Sequence, residues 1–194
     1  MNKALQEQIN FIMETDKLKR VIRRNYNADG SRLENTAEHS WQISLMALSL
    51  VGHANEKVDT CKVVKMLLIH DLVEIDAGDT YLYGDGNTTE KEQKEQQAAE
   101  RIFGILPKEQ GREYLAIWEE FEARESPEAR FAKAIDRLMP ILNNFYSEGR
   151  SWKENQISRE QVIDKCKGIA DGSSELWDFA LQLINEAREK HYLR

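Results

Sequence analysis

The chain has few of the features that mark secreted or membrane-bound proteins. Only two of its 194 residues are cysteine, and Cys61 and Cys166 lie far apart in helical patterns. This placement favours small core residues over a disulfide. No apolar run approaches the roughly 18 residues that a membrane-spanning helix needs, and the opening MNKALQEQIN lacks the apolar stretch of a signal peptide. These absences predict a cytoplasmic protein.

Turn-forming residues and excess positive charge are also scarce. Three prolines and ten glycines supply few turns, and the net charge is −7. Because binding to a phosphate backbone needs a basic surface, the charge argues against a nucleic-acid polymer as partner. A small phosphorylated substrate remains possible, since one local cation and one arginine can bind it. The length is sufficient for one domain with its own core, and we treat 1–194 as a single domain.

Apolar residues recur at helical spacing along the whole chain, and no period-two pattern indicates a strand. We therefore predict an all-α fold. Asn35 with Glu38, Thr89 with Glu92, and Ser158 with Gln161 have the spacing of helix-starting capping boxes. The predicted helices cover about 2–15, 35–53, 58–77, 89–105, a segment starting at Pro107, 127–147, 158–172 and 174–190.

One predicted helix contains ionisable residues in an apolar setting. In VVKMLLIHDLVEIDAGDTY, His70 and Asp71 stand among leucines, isoleucine and valines, with Glu74 one turn further on. Buried ionisable groups are costly unless they are paired, hydrogen-bonded or bound to a metal. A bound cation is the simplest explanation, and it requires further ligands from other helices.

Two more residues have the position that such ligands need. His39 lies in the first turn of its helix on the apolar face, and Asp136 is the only carboxylate in FAKAIDRLMPIL. Pro140 cannot donate a hydrogen bond to the Asp136 carbonyl, so we expect a kink there, either to aim a ligand or simply to bend a core helix. Two imidazoles and two carboxylates suit Mn, Co, Ni, Fe or Zn, and Mg less well.

The order of these residues resembles a known family. His39, the doublet His70-Asp71 and Asp136, with spacings of 31 and 65 residues, resemble the signature of the HD-domain metal-dependent phosphohydrolases. The strings TAEHSW, LLIHDLVEIDAGDTY and FAKAIDRLMPIL resemble the branch that includes the bacterial 5′-deoxyribonucleotidases. The likeness is strong over about 17–146, and helices over about 158–190 would complete the bundle.

The resemblance implies a compact HD-type helical bundle, a homodimer and one divalent ion (Mn, Co, Fe, Ni, Zn or Mg). The implied metal ligands are His39, His70, Asp71 and Asp136. The alternative for this set is a cluster of buried, hydrogen-bonded polar residues that binds no metal.

Two further acids are implied to act in catalysis. Glu74 would hold the attacking water or move a proton, although it could instead orient a ligand histidine. Asp79, by resemblance, would transfer a proton or position water and sugar, although an aspartate at a helix end is also a turn former.

The resemblance also implies residues that bind the substrate. An arginine before the first ligand helix would bind phosphate, which favours Arg20, with Arg23 and Arg24 as rivals. Two further expectations come from position in the sequence. Thr80 lies in the loop after the helix of the doublet, which should form the rim of the site, and Arg137 directly follows Asp136 and would contact phosphate or pair with an acid. An aromatic residue follows the arginine in the best-known nucleotidases, whereas Val21 follows Arg20 here.

The implied activity is removal of the 5′-phosphate from nucleoside or deoxynucleoside monophosphates by a metal-activated water. A second reading is a phosphodiesterase or pyrophosphohydrolase acting on a small nucleotide. Diester enzymes of this superfamily often carry extra histidine ligands, and only His53 and His191 remain here, outside any motif. A third reading is a non-catalytic, metal-stabilised helical binding module, which Glu74, Asp79 and Arg20 disfavour.

Overall fold

The computed structural model describes residues 2–79, 82–84 and 88–194. Most of these residues lie in helices, as predicted. The helices are α1 (Lys3–Thr15), α2 (Thr36–Leu50), α3 (Thr60–Ile69), α4 (Glu74–Ala77), α5 (Thr88–Phe103), α6 (Lys108–Ala123), α7 (Pro127–Tyr146), α8 (Arg150–Glu154), α9 (Arg159–Cys166), α10 (Ile169–Gly172) and α11 (Ser174–Glu189). Turns of 3-10 helix cover Asp16–Arg20, Val51–His53 and His70–Val73.

Helix α7 is the centre of the larger apolar cluster. It packs against α2, α3, α6, α10 and α11, and Ile135 and Leu138 are almost completely buried within it. Helix α10 approaches α7 so closely that a Cβ atom at Gly172 would collide with the Arg130 carbonyl. This close packing brings the side chains of α9 and α10 next to one edge of α7.

A second apolar cluster joins α1, α5, α6 and the 3-10 turn after α3. Phe11, Leu72, Ile102 and Trp118 belong to it, whereas Met66 of α3 belongs to the first cluster. The chain therefore passes from one cluster to the other at the His-Asp doublet, which places that doublet deep in the protein.

The prediction of one continuous helix over 58–77 is wrong, because the helix is interrupted at the His-Asp doublet. Helix α3 ends at Ile69, a 3-10 turn covers His70–Val73, and α4 begins at Glu74. In a 3-10 helix, side chains three residues apart are eclipsed, which aligns Asp71 with Glu74. By contrast, α7 continues through Pro140 to Tyr146.

The prediction that the chain contains no strand is also wrong. Strands β1 (Ile22–Tyr26) and β2 (Leu33–Asn35) form an antiparallel pair, with Ile22 opposite Asn35 and Tyr26 opposite Leu33, and an irregularity between them. The buried residue of β1 is Arg23 and that of β2 is Glu34. Since the buried residues are charged, hydrophobic periodicity does not indicate these strands.

Several local predictions can be compared with the structure. The capping boxes at Asn35 and Ser158 are present, and Gly78 ends α4 with a φ of 75°. Cys166 is buried as expected, but Cys61 is exposed and is not a core residue. Among the described residues, no helix is long and apolar enough to cross a lipid bilayer.

Candidate metal centre and active site

Three side chains from three helical segments converge inside the protein. His39 lies in the first turn of α2, His70 opens the 3-10 turn after α3, and Asp136 lies in α7. One possible ligand atom from each lies within 4.8 Å of the others, and all three residues are buried. The Nε2 atoms of His39 and His70 are 3.2 and 3.6 Å from Oδ1 of Asp136.

Asp71, which follows His70 on the 3-10 turn, also extends its carboxylate into this cluster. Its Oδ1 is 3.0 Å from Nε2 of His70, and its Oδ2 is 4.0 Å from Nε2 of His39. The structure thus brings all four sequence-predicted ligands into one cluster.

The Nδ1 contacts of the two imidazoles leave their Nε2 atoms facing the cluster. Nδ1 of His70 lies 3.0 Å from the Leu67 carbonyl, to which its N–H can donate. Nδ1 of His39 lies 3.3 Å from Oε2 of Glu34. A ligand histidine commonly donates its second N–H to a carbonyl or a carboxylate, as His70 does. Nδ1 of His39 and Oε2 of Glu34 are near each other but form no hydrogen bond among the described residues. Nε2 of His70 is buried, and its contacts with Asp71 and Asp136 lack the geometry of a hydrogen bond. A nitrogen aimed at two carboxylates in this way can bind a metal, so this set fits a divalent cation.

The electrostatics of the cluster also favour a cation. Burial opposes the charged form of His70, but the charges of Asp71 and Asp136 outweigh it and raise the pKa of His70 to about 10. Burial likewise opposes ionisation of Asp71, but His70 and Arg23 hold the pKa of Asp71 well below its usual range. A proton on His70 therefore occupies the place that a metal ion would take, and metal binding must release it.

Arg23 is the buried arginine of the site. Its guanidinium Nη1 is 2.9 Å from Oδ2 of Asp71, and its Nε is 3.3 Å from Oε2 of Glu34. The same Nη1 lies 3.9 Å from carboxylate oxygens of Glu74 and Asp79. Arg23 therefore holds together the acids that surround the ligand cluster.

Glu74 and Asp79 face the same cavity as the ligands. Burial, reinforced by the charge of Asp71, raises the pKa of Glu74 to about 9. The Thr36 hydroxyl lies 2.9 Å from Oε2 of Glu74. Burial also raises the pKa of Asp79, against the effect of Arg23. Both carboxyls are thus able to exchange protons nearer to neutral pH than an ordinary acid.

A cavity of about 120 Å³ opens onto this centre. Its lining includes His70, Asp71 and Asp136 of the cluster, further carboxylates and six basic side chains. The basic residues are Arg23, Arg24, Lys91, Arg124, Lys133 and Arg137. Of the predicted substrate-binding residues, Arg137 lines the cavity. Arg20 is exposed and is not among the described residues that line it. Thr80 lies outside the described residues.

Sequence reasoning missed three residues of the site. Glu34 is only 2% exposed, and Thr36 is completely buried, although both belong to a polar segment that resembles surface sequence. Lys133 places Nζ 3.4 Å from Oδ2 of Asp136. Thr36 and Lys133 lie in the strings TAEHSW and FAKAIDRLMPIL, but neither residue was assigned a role from the sequence. The spacing of three between Lys133 and Asp136 could have indicated a contact along α7.

The match to a family covers most of the chain: residues 15–177 match the family described as HD domain. The 5′-deoxynucleotidase HDDC2 of Danio rerio is 30% identical over 188 residues, covering 96% of this chain and 90% of its own length. The 5′-deoxynucleotidase HDDC2 of Dictyostelium discoideum is 29% identical, with 82% and 88% covered.

A crystal structure described as a predicted metal-dependent phosphohydrolase from Magnetospirillum magnetotacticum is 47% identical to this chain. It covers 98% of both chains with a TM-score of 0.92. Fold, sequence and the order of the four candidate ligands therefore point to the same family.

Proposed function

The chain belongs to the HD-domain family, and on that premise we propose that it is a metal-dependent phosphomonoesterase that removes the 5′-phosphate of nucleoside or deoxynucleoside monophosphates. The observation that carries the proposal is the convergence of four possible ligands beside a cavity that has basic side chains in its lining. The four are His39, His70, Asp71 and Asp136, and all but His39 line that cavity. The names of the relatives from Danio rerio and Dictyostelium discoideum support the substrate class.

His39, His70, Asp71 and Asp136 would hold one divalent cation. This mixed nitrogen and oxygen set suits Mn, Co, Fe, Ni or Zn, and Mg less well. The cation would supply Lewis-acid activation of water and of a phosphoryl oxygen. Glu34, through Nδ1 of His39, would keep that imidazole oriented.

Hydrolysis forms a bond between phosphorus and the water oxygen and breaks the bond to the 5′-oxygen. One proton must leave the water, and one must reach the 5′-oxygen. Glu74 and Asp79 face the cavity with raised pKa values, so we assign proton transfer to these two carboxyls. Arg23 keeps both acids within 3.9 Å of its guanidinium.

The cations of the cavity wall would bind the substrate phosphate. Arg23 is largely neutralised by its carboxylate neighbours, so Arg24 and Arg137, which also line the cavity, are better placed to bind it. Arg20 stays a prediction from the family resemblance, and Thr80 stays a prediction from its position after the helix of the doublet.

Phosphate release from a panel of ribo- and deoxyribonucleoside 5′-monophosphates, with Mn or Co added, tests this function. We expect release by the parent chain and none by Asp71→Ala, because that change removes a ligand. Asp76→Ala is the matched control, since Asp76 is an exposed carboxylate five residues away that pairs with Arg101. If the metal-loaded parent chain releases phosphate from no monophosphate, the proposal is wrong.

The other two readings are less well supported. Among the described residues, one cluster has the geometry of a metal site. His53 is exposed and pairs with Glu175, and His191 is also exposed. Neither histidine therefore provides a ligand for a second metal ion. A non-catalytic metal-stabilised module predicts unfolding on chelation. An enzyme can lose activity on chelation while it stays folded.

We also propose that the chain forms a homodimer, as the family resemblance implies. Helix α1 exposes Leu5, Ile9, Ile12 and Met13 by 45–64%, and α2 exposes Trp41, Leu45 and Leu48 by 49–62%. Apolar surface of this extent is typical of a protein interface. Light scattering should give twice the chain mass for the parent and the single mass for Trp41→Glu. A monomeric parent would contradict this proposal.

The cytoplasmic location stays a prediction.

A further inference from the structure

A second, smaller cavity lies beside the one at the metal centre. It has a volume of about 90 Å³, several times the roughly 10–15 Å³ that one water molecule needs. Its lining is Arg124, Arg130, Lys133, Arg137, Lys165, Gly168 and Asp171. Five of these seven residues are basic and one is acidic, which is an unusual concentration of positive charge on a chain with a net charge of −7. We call this cavity the α7–α10 pocket.

The packing of α10 on α7 builds the pocket. Arg130, Lys133 and Arg137 follow one another at spacings of three and four residues, so they lie on one face of α7. Gly172 allows α10 to approach the α7 backbone at Arg130. That approach brings Asp171 of α10 and Lys165 of α9 opposite the basic face.

Arg124 completes the pocket from an unusual backbone position. It follows α6 with φ 57° and ψ 28°, in the left-handed region where glycine or asparagine usually ends a helix. Arg124 lines both cavities.

The positive charges of the pocket differ in how well they are compensated. Arg130 pairs with Glu56 at 2.6 Å, and Lys133 pairs with Asp136 at 3.4 Å and Glu122 at 3.8 Å. Within the part of the chain that the structure describes, Arg124, Arg137 and Lys165 make no ion pair with a carboxylate. The lone acid of the lining, Asp171, cannot neutralise three such cations. The pocket therefore attracts an anion.

The pocket also adjoins the metal centre, because Arg124, Lys133 and Arg137 line both cavities. We propose that the α7–α10 pocket binds a phosphate group next to the metal centre. The group has two possible sources: a second phosphate on a nucleotide whose 5′-phosphate lies at the metal, or free inorganic phosphate. Only the nucleotide source rests on the function proposed above.

Calorimetric titration of inorganic phosphate into the metal-loaded full-length chain tests the pocket without requiring turnover. The test variant is Lys165→Glu, because Lys165 is exposed and distant in sequence from the metal ligands. The matched control is Lys167→Glu, since Lys167 is also exposed, carries the same charge two residues later and does not line the pocket. Thermal melts of both variants check that they are folded.

We expect the parent and Lys167→Glu to bind phosphate at a site that Lys165→Glu weakens by at least about tenfold. Any phosphate bound at the metal centre itself should be common to all three proteins. Equal number and affinity of sites in the parent and Lys165→Glu would overturn the proposal, and so would a parent that binds no phosphate.

Kinetics with the same proteins distinguish the two sources. If the pocket holds a second substrate phosphate, Lys165→Glu should raise the KM of a nucleoside 3′,5′-bisphosphate or 5′-diphosphate by about tenfold and leave that of the 5′-monophosphate within about twofold. If the pocket holds free phosphate, only inhibition by inorganic phosphate should weaken. A chain that hydrolyses no nucleotide would contradict the proposed function, whereas the titration would still decide whether the pocket binds phosphate.

Discussion

The metal centre and the α7–α10 pocket have lining residues in common, but they differ in how far their charged side chains are paired with opposite charges. At the metal centre, Asp136 is buried and Asp71 is largely buried. Histidine, arginine or lysine groups lie within 4 Å of each carboxylate. In the pocket, Arg124 and Lys165 are exposed and make no ion pair within the described part of the chain. A buried charge needs an opposite charge beside it, whereas an exposed cation can remain unpaired until a ligand binds.

Helix α7 connects the two regions through consecutive positions. Asp136 faces the histidines, and Lys133 and Arg137 on either side of it line both cavities. The contrast predicts that changes at the centre act on metal binding and turnover, while changes at the pocket act on anion affinity.

The largest expected effect that separates the regions comes from Glu74→Gln. Removing a proton-transfer group should lower kcat for phosphate release by about 10²–10⁴-fold. The metal content, measured by elemental analysis, and the phosphate affinity of the α7–α10 pocket should stay the same. Asp76→Asn is the control, because that exposed carboxylate faces Arg101 instead of the cavity. Turnover by Glu74→Gln close to that of the parent would remove Glu74 from the mechanism.

Metal removal and pH should act together on the stability of the centre. His70 and Glu74, with pKa values of about 10 and about 9, hold more protons in the folded than in the unfolded chain between neutral and alkaline pH. In chelated protein the free energy of unfolding should therefore fall by several kcal/mol from about pH 6 to about pH 9.5, since each extra proton contributes roughly 1.4 kcal/mol per pH unit.

Metal-loaded protein should show the reverse trend over the same pH range, because deprotonated ligands bind the cation more tightly. Urea unfolding with and without a chelator measures both trends. A chelated protein that becomes more stable at alkaline pH would contradict the expected protonation of the centre.

Glu34→Gln should have a smaller effect, confined to the metal centre. The change weakens the contact of Glu34 with Nδ1 of His39 and with Arg23, and we expect about 10–100-fold weaker metal affinity. Glu38→Gln is the matched control, since glutamine at that position can keep the capping box with Asn35. Metal titration compares them, and equal affinities in both variants would show that Glu34 does not position the ligand.

The smallest and most selective effect is expected for Arg124→Gly, at a residue that lines both cavities. Glycine relieves the left-handed backbone, so the free energy of unfolding should rise by about 0.5–1 kcal/mol. Phosphate affinity at the pocket should fall, and Arg124→Lys should retain it because the charge is kept. Thermal melts and phosphate titration measure the two effects. A gain of stability without loss of phosphate affinity would exclude Arg124 from the pocket.

Much of the helical architecture could be predicted from local sequence. The capping boxes at Asn35 and Ser158 and the stop at Gly78 are confirmed, because a cap depends on hydrogen bonds within a few residues. The all-helical fold class is confirmed apart from the hairpin of β1 and β2. The helix interruption at His70 was not predictable, since it depends on two apolar clusters that meet there.

The residues of the candidate site also fall into two groups, those that the local sequence predicts and those that it does not. His39, His70, Asp71 and Asp136 could be proposed from sequence, since each is a polar residue in an apolar helical pattern. Arg23 could only be named as a rival of Arg20, because nothing local distinguishes three arginines within five residues. The hairpin buries Arg23 and leaves Arg20 exposed.

The sequence by itself therefore determined the helices, their caps and the order of the candidate ligands, because these follow from hydrophobic spacing and from hydrogen bonds between near neighbours. Only the tertiary structure decided that Arg23 and Glu34 face inward from a hairpin and that Arg124 and Lys165 line one basic pocket. Such placements depend on contacts between residues far apart in the chain, for which charged side chains carry no local periodicity.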